Sequence, residues 1–379
     1  MLLSPRRRTF FIRILSLIET ALLIAAGFAF YFWVVPEPVP LRERTPPHPE
    51  PGEKEEQAEE APRPSPPVAT RDHYEFSGGE VFFDDAVEEG FVSLVNRAGT
   101  SLAIVTYTLD RSPAVEALER AASRGVTVRV IAGRNKLERR PLFSLTEFHP
   151  PKGILHEKFL VADNATVFLS SRNMTGGQSK NAGILFHRVP RMAHILKEEF
   201  STLEQMQVAK RCESGCPVEY GTLYFLPGKG CRAAKEALLS ARNGVDIAIY
   251  TVTPGTPLMT GLKKILKRHL TVRVVLDDWA GEEGKPVNRR AGLYLESLGA
   301  QVRYDRLFDS QGNALNFHHK FAVIDDGKTL LFGSMNWTKS ACYRNRELLF
   351  ITRDPDIAAI FKTYFDAIWE SVDGHPPQN

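Results

Sequence analysis

Two stretches decide the fold: His156-Glu-Lys158-Phe-Leu-Val-Ala-Asp163 and His318-His-Lys320-Phe-Ala-Val-Ile-Asp325. Both spell H-x-K-x4-D. One copy alone is a weak signal, since a chance match has a likelihood on the order of a few per cent in a chain this long. Two copies at matching places ask for a duplication. Side chains alternate along a strand, so each run is read as a strand that puts His156 and Lys158, or His318 and Lys320, on one face. Phe159, Val161, Phe321 and Val323 are left for packing.

Outward from these blocks the duplication continues. Downstream, Ser170-Ser171-Arg172-Asn173 and Gly333-Ser334-Met335-Asn336 each close a second strand with hydroxyl and amide groups. Upstream, Val81-Phe-Phe83 matches Leu223-Tyr-Phe225, and amphipathic stretches follow over Phe91 to Ala98 and Ala233 to Ala241. Strand-like runs Ser101 to Thr108 and Asp246 to Thr253 lead through helices over Ala114 to Ser123 and Pro257 to Arg268 into Thr127-Val-Arg-Val130 and Thr271-Val-Arg-Val274. Arg188-Val-Pro190 and Arg353-Asp-Pro355 open the last helix of each copy, proline suiting a first helical turn. Short β-branched runs alternating with amphipathic helices predict an α/β chain of two similar halves, residues 73–204 and 221–372, joined by 205–220 and related by a pseudo-twofold. Equivalent positions near such an axis meet across the interface, so the site is expected there.

Each half thus supplies imidazole, ammonium, hydroxyl and amide groups. Displacement at a phosphodiester wants this set: lysines and polar donors hold the anionic oxygens, and two imidazoles serve as nucleophile and acid. The expected catalytic residues are His156, Lys158, His318 and Lys320; Ser171, Asn173, Ser334 and Asn336 are expected to bind phosphate. Asp163 and Asp325 are read as fixing turns. This chemistry requires no metal and no cofactor.

With these motifs in hand, the chain resembles the phospholipase D superfamily, whose signature is two H-x-K-x4-D motifs followed by G-S-x-N. The resemblance covers nearly all of residues 78 to 372. The second motif is especially similar to the branch containing small bacterial endonucleases and mitochondrial cardiolipin hydrolase, including Asn345-x-Glu347. It implies two phospholipase D-like halves, a phosphohistidine on one histidine, and a second histidine that protonates the leaving alcohol and then activates water. Because relatives with one motif per chain dimerise and this chain has both, no obligate oligomer is expected. Alignment sets Gly183 opposite Glu347, so Glu347 joins the catalytic set as the carboxylate expected to orient His318. On that basis His318 is taken as nucleophile and His156 as acid. Ser170, where the family usually has glycine, is expected to narrow the approach to phosphate.

The front of the chain is different. Residues 1–13 are basic, with Arg6, Arg7, Arg8 and Arg13, and residues 14–35 carry one charge, Glu19. As a helix that run would be ~33 Å long, enough for a bilayer core. It reads as an N-terminal transmembrane anchor, and the flanking arginines put the rest outside the cytoplasm, on the periplasmic or extracellular side. A cleaved signal peptide is the alternative. Residues 36–72, rich in proline and glutamate, read as a disordered linker that at ~3.1 Å per residue could reach roughly 110 Å. Residues 373–379 read as a tail.

The whole chain has 379 residues, 43% hydrophobic and 25% charged, with formal net charge +3, which excludes wholesale disorder and a polytopic membrane protein. Beyond residue 72 there are 39 basic and 35 acidic residues and no dense basic run with interleaved aromatics. That is a poor footprint for nucleic acid. Lys136, Arg139, Arg140, Lys152, Lys285, Arg289 and Arg290 are read as solvated loop residues, rimming the site being the other reading. Leu226-Pro-Gly-Lys-Gly230 is read as a turn. The four cysteines lack zinc-site spacing. Outside the cytoplasm, Cys212 and Cys216 could pair, or either could pair with Cys231, a buried free thiol being an equal alternative for Cys342.

The expected function is a membrane-anchored phosphodiesterase that hydrolyses phospholipids. The other readings are an endonuclease for DNA or RNA using the same chemistry, and a catalytically idle binding module. The expected partners are the phosphodiester substrate, phospholipid or nucleic acid, and the membrane.

Overall fold

A computed structural model of the chain describes residues 72–207, 212, 214–278, 287–305 and 315–372. The expected basic flank, membrane span, linker up to residue 71 and tail from residue 373 lie outside the described residues. Among the described residues no helix is long and apolar enough to cross a membrane.

Two eight-stranded mixed sheets carry the fold. The first is ordered β1 (His73–Phe76), β2 (Gly79–Phe83), β9 (Ala182–Phe186), β7 (Thr166–Ser170), β6 (Phe159–Ala162), β3 (Ser101–Leu109), β4 (Thr127–Asn135), β5 (Ser144–Glu147). The second repeats that order as β10 (Cys216–Val218), β11 (Gly221–Leu226), β18 (Glu347–Thr352), β17 (Thr329–Gly333), β16 (Lys320–Ile324), β12 (Gly244–Ile249), β13 (Thr271–Asp277), β14 (Gln301–Asp305). The duplication read from the sequence is therefore a duplication of topology. In each sheet the crossover between the first two parallel strands is a helix, Pro113–Ser123 or Pro257–Leu266. Ser112 and Thr256 cap these helices, each accepting a backbone N–H at N3 and leaving proline for N1.

Every residue of β6, β16 and β17 is buried, as strands covered on both faces require. Helices Ala86–Arg97 and Pro113–Ser123 cover the outer face of the first sheet, and Gly230–Leu239 and Pro257–Leu266 that of the second. Between the sheets lie the two proline-initiated helices Pro190–Glu204 and Pro355–Ser371. Their apolar faces join both halves in one core: Phe83 stacks on Tyr364 at 3.7 Å between ring centroids, and Phe186 meets Phe350 edge-on at 5.6 Å. This shared core holds two half-sites in fixed relation.

The halves are also laced through their backbones. β8 (Ser179–Lys180) pairs in parallel with β15 (Asn316–Phe317), and the equivalent bridge joins Leu155 to Arg346. His156 N donates to Arg346 O at 2.8 Å, and His318 N donates to Lys180 O at 2.8 Å. Each motif histidine is thus hung on a strand of the opposite half. The histidines precede β6 and β16 rather than lying within them, a small departure from the expected strand reading.

The cysteine pairing left open by the sequence is assigned by the fold. Cys212 pairs with Cys216, and Cys231 pairs with Cys342, so Cys342 is not a free thiol. The bond joins helix Gly230–Leu239 to the short helix Lys339–Tyr343, elements 111 residues apart in sequence.

Candidate active site

The two cross-half backbone bonds bring His156, Lys158, His318 and Lys320 together at the pseudo-twofold. His156, Lys158 and Lys320 are buried, the lysines with 2% and 3% exposure, and His318 is half-buried. Each ammonium donates to the carbonyl oxygen of its own motif histidine at 2.8 Å, which spends one of its three hydrogens and leaves two for an anion. Tyr107 and Tyr250, in register on β3 and just after β12, wall the two sides. Their ring centroids lie 5.5 Å from His156 and 4.8 Å from His318.

Glu347 does not reach His318. Its Oε2 lies 2.7 Å from Nδ1 of His156, across the interface, and also accepts from Ser334 Oγ at 2.6 Å. The expected His318–Glu347 pairing is therefore corrected, and with it the basis for calling His318 the nucleophile. His318 instead has Asn181: Nδ1 lies 3.0 Å from Oδ1, which also accepts from Ser171 Oγ at 3.0 Å. Asn181 Nδ2 donates to the carbonyl and hydroxyl oxygens of Ser179, at 3.0 and 2.7 Å, so both amide ends are fixed by their partners. Ser171 with Asn181 repeats Ser334 with Glu347, which makes Asn181, not Gly183, the counterpart of Glu347.

Sequence reasoning missed Asn181 because the spacings differ. From serine to orienting residue there are ten positions in the first half and thirteen in the second, where the helix Lys339–Tyr343 is inserted. The local pattern Ser179-x-Asn181 against Asn345-x-Glu347, each ahead of a buried strand, was the available signal.

A second correction concerns the serines. Ser171 and Ser334 are fully buried and their hydroxyls are committed to Asn181 and Glu347, so they position the orienting residues instead of meeting phosphate. Asn173 and Asn336 sit as equivalents with their Oδ1 atoms buried and without a partner, and a half-turn of either amide would present Nδ2 instead. Ser170 turns to the backbone, accepting from Arg172 N at 2.9 Å and donating to Ala182 O at 3.3 Å. At the equivalent Gly333 the backbone is left-handed, φ +154°, and a Cβ would fall 2.2 Å from Leu348 O. Asp163 accepts from the backbone N–H groups of Gly99, Thr100 and Ser101, and Asp325 from those of Arg242, Asn243 and Gly244. Both tie a turn to the strand that follows, as expected, away from the reacting groups.

The charges follow from burial. Desolvation lowers His156 to about 4, against the raising effect of Glu347, and lowers Lys158 to about 7. Burial, with Lys320, Lys158 and His156 adding to it, holds His318 well below its ordinary value, and burial beside Lys158 does the same to Lys320. Burial alone would raise Glu347, but His156, Lys158 and the Ser334 hydroxyl bring it below the usual carboxylate range. Glu347 is then ionised, so the proton on neutral His156 resides on Nδ1 and the Nε2 lone pair faces the site. The same logic leaves His318 Nε2 free. Two imidazoles and two under-solvated ammonium groups make a site that an anion would stabilise.

Behind the site each motif has a second buried partner. Glu157 and Glu199 both engage Arg346, Glu157 at 3.3 Å, while His319 meets the hydroxyl of Tyr364 at 3.0 Å and Asp84 at 3.2 Å. Burial and the neighbouring Glu199 push the Glu157 carboxyl well above the usual carboxylate range, against the lowering effect of Arg346. Arg139, in a loop as expected, is drawn off to Glu119, whereas Arg289 pairs with Asp278 from helix Val287–Ser297, which also holds Arg290, so the loop reading is corrected for these two; Lys152 is exposed. Lys285 lies outside the described residues. Among the described residues no group of three or more His, Cys, Asp or Glu side chains is arranged to hold a metal.

A family model described as cardiolipin synthase, PLD-like domain, matches residues 91–203 and 234–369. Mitochondrial cardiolipin hydrolase of Homo sapiens is 35% identical over 136 residues, 36% of this chain and 49% of that protein. The chain spans about half of the length of the curated relatives it matches. Phosphatidylserine synthase of Haemophilus influenzae has the same fold, with a TM-score of 0.57 at 13% identity over 77% of this chain and 87% of that one. NucT from Helicobacter pylori is 30% identical, covers 40% of this chain and 97% of that chain, and has a TM-score of 0.36.

Proposed function

The chain belongs to the phospholipase D-like family, and from that membership we propose that it hydrolyses phospholipid phosphodiester bonds through a phosphohistidine, tethered to a membrane by its N-terminal segment. The observation that carries the proposal is the unequal pairing of the two histidines, His156 with a carboxylate and His318 with an amide.

A carboxylate on Nδ1 makes Nε2 the stronger nucleophile and compensates the positive charge that develops on the ring as it bonds to phosphorus. A neutral amide leaves an imidazolium more acidic. His156 Nε2 therefore attacks phosphorus, and the bond from phosphorus to the leaving alcohol oxygen breaks as His318 Nε2–H gives that oxygen its proton. Lys158 and Lys320 hold the non-bridging oxygens. Water then attacks phosphorus, His318 takes the proton back, and the P–N bond breaks to release a phosphomonoester. His318 can be protonated at the start because the negative charge of bound substrate offsets Lys158 and Lys320, which otherwise help keep it neutral.

Phospholipid is favoured over nucleic acid by three features. The catalytic part has near-neutral charge, the two disulfides fit an oxidising compartment, and the apolar run 14–35 with its basic flank fits a single-pass anchor with the catalytic part outside the cytoplasm. The cardiolipin hydrolase relatives point the same way. The endonuclease reading draws on the extended likeness of the second motif to bacterial endonucleases. An idle binding module would have no use for two buried lysines beside two oriented histidines.

The test is an assay of the full chain in EDTA against phosphatidylcholine, cardiolipin, single- and double-stranded DNA, and RNA. Turnover of phospholipid in EDTA is expected. Cleavage of nucleic acid without lipid turnover would favour the endonuclease, and loss of all activity in EDTA would contradict the metal-free mechanism.

A further inference from the structure

Two parallel segments, one from each half, lead from the surface to His156 and Glu347 and form a pair of lips there. Leu155 bridges Arg346, Arg346 N donates to Ile154 O at 2.8 Å, and Ile154 N donates to Asn345 Oδ1 at 3.3 Å. Lys152-Gly153-Ile154 therefore runs beside Tyr343-Arg344-Asn345, and two residues further along the lips come His156 and Glu347. Gly153 lets them close: its φ is +75°, and a Cβ would lie 2.5 Å from the carbonyl of Arg344.

What the lips present outward is unusual. Ile154 is 36% and Tyr343 59% exposed, among the few large apolar side chains so exposed in the described residues. Residues 148–156 and 335–346 contain no aspartate or glutamate. Lys152, Lys339 and Arg344 are exposed there, and none has an ion pair among the described residues. Unpaired cations around an aliphatic and an amphipathic aromatic side chain match the interfacial zone of an anionic bilayer, where headgroups take the cations and the acyl boundary takes the apolar groups. A nucleic acid could use the cations and stack on Tyr343, but it has nothing for Ile154. The chain ahead of the described residues is long enough to allow the approach, its 37-residue proline-rich segment following the apolar run.

Resting on the phospholipid reading above, we propose that these lips are a membrane-docking surface that seats the catalytic part on anionic phospholipid and presents the headgroup phosphodiester to His156.

The experiment uses the full chain reconstituted in vesicles of phosphatidylcholine with phosphatidylglycerol, and in vesicles of phosphatidylcholine alone. Hydrolysis of vesicle lipid is compared with hydrolysis of a water-soluble phosphodiester, bis(4-nitrophenyl) phosphate, by the same vesicles. In anionic vesicles, Lys152→Ser and Arg344→Ser should each lower the lipid rate about fivefold. Tyr343→Ser with Ile154→Ser should lower it in both vesicle types. All of these variants should stay within about twofold of the parent on the soluble substrate, which also shows that they fold. Unchanged lipid rates, or equal losses on both substrates, would overturn the docking surface while leaving the phospholipid reading intact. Lipid left untouched while single-stranded RNA or DNA is cut, with the same variants impaired, would overturn both and make the lips a nucleic-acid rim.

Discussion

At the scale of single residues the site is decided by what each imidazole leans on. Glu347 crosses from the second half to His156, and Asn181 crosses from the first to His318, so duplication has let two once-equivalent positions diverge into a carboxylate and an amide. Burial of the histidines has a measurable consequence for stability. His156 is held at about 4 in the folded chain, below its ordinary 6.5. Above pH 6.5 both states leave it neutral and it costs nothing. As pH falls from 6.5 toward 4 the unfolded chain takes up a proton that the folded chain refuses, so stability is lost at up to ~1.4 kcal/mol per pH unit from this group. His318, also held well below its ordinary value, adds to the loss in the same direction. Urea midpoints across pH 4 to 7 should therefore fall on acidification, and His156→Asn should flatten the slope; an unchanged slope would show that His156 is not buried neutral. The imidazoles, lysines and asparagines were legible in the sequence because repetition marks them. Their partners were not, because a carboxylate that acts across an interface has no sequence neighbour to betray it.

Among elements, the short helix Lys339–Tyr343 has the largest local effect. It sits between Asn336 and Glu347, lengthens that connection relative to the first half, and is tied by Cys342 to Cys231 at the start of helix Gly230–Leu239. Closing a loop of this length restricts the unfolded chain by about 4–5 kcal/mol on a chain-entropy account, far more than the four-residue Cys212–Cys216 loop can. Cys231→Ala combined with Cys342→Ala should lower the unfolding free energy by several kcal/mol in denaturant titrations, while Cys212→Ala with Cys216→Ala should cost clearly less. Equal costs would mean that the longer bond is not formed. Strand and helix identities were readable from β-branched runs and proline-initiated helices, as β3, β4 and the helix Pro355–Ser371 illustrate. The cysteine pairing was not, since Cys231 and Cys342 meet only after the second sheet and its covering helices have assembled.

On the scale of the whole molecule, one core and two cross-half strand bridges hold the half-sites together, so a single chain builds what two copies of a one-motif chain would build. The interface is not only apolar. Arg346 of the second half is buried between Glu157 and Glu199 of the first, and Asp84 of the first half meets His319 and Tyr364 of the second. Such buried charges penalise any slip of one half against the other, because a displaced partner leaves an uncompensated ion. The pseudo-twofold could be inferred from the repeat, but the direction in which each orienting residue crosses it could not, and in the proposed mechanism that direction exchanges the roles of the two histidines. The central claim is therefore tested most directly by trapping the acid-labile phosphoenzyme in two variants, with labelled phospholipid quenched during turnover. His318→Asn, which keeps the nucleophile and loses the acid and base, should accumulate the covalent adduct, and His156→Asn should form none. An adduct on His156→Asn would contradict the account.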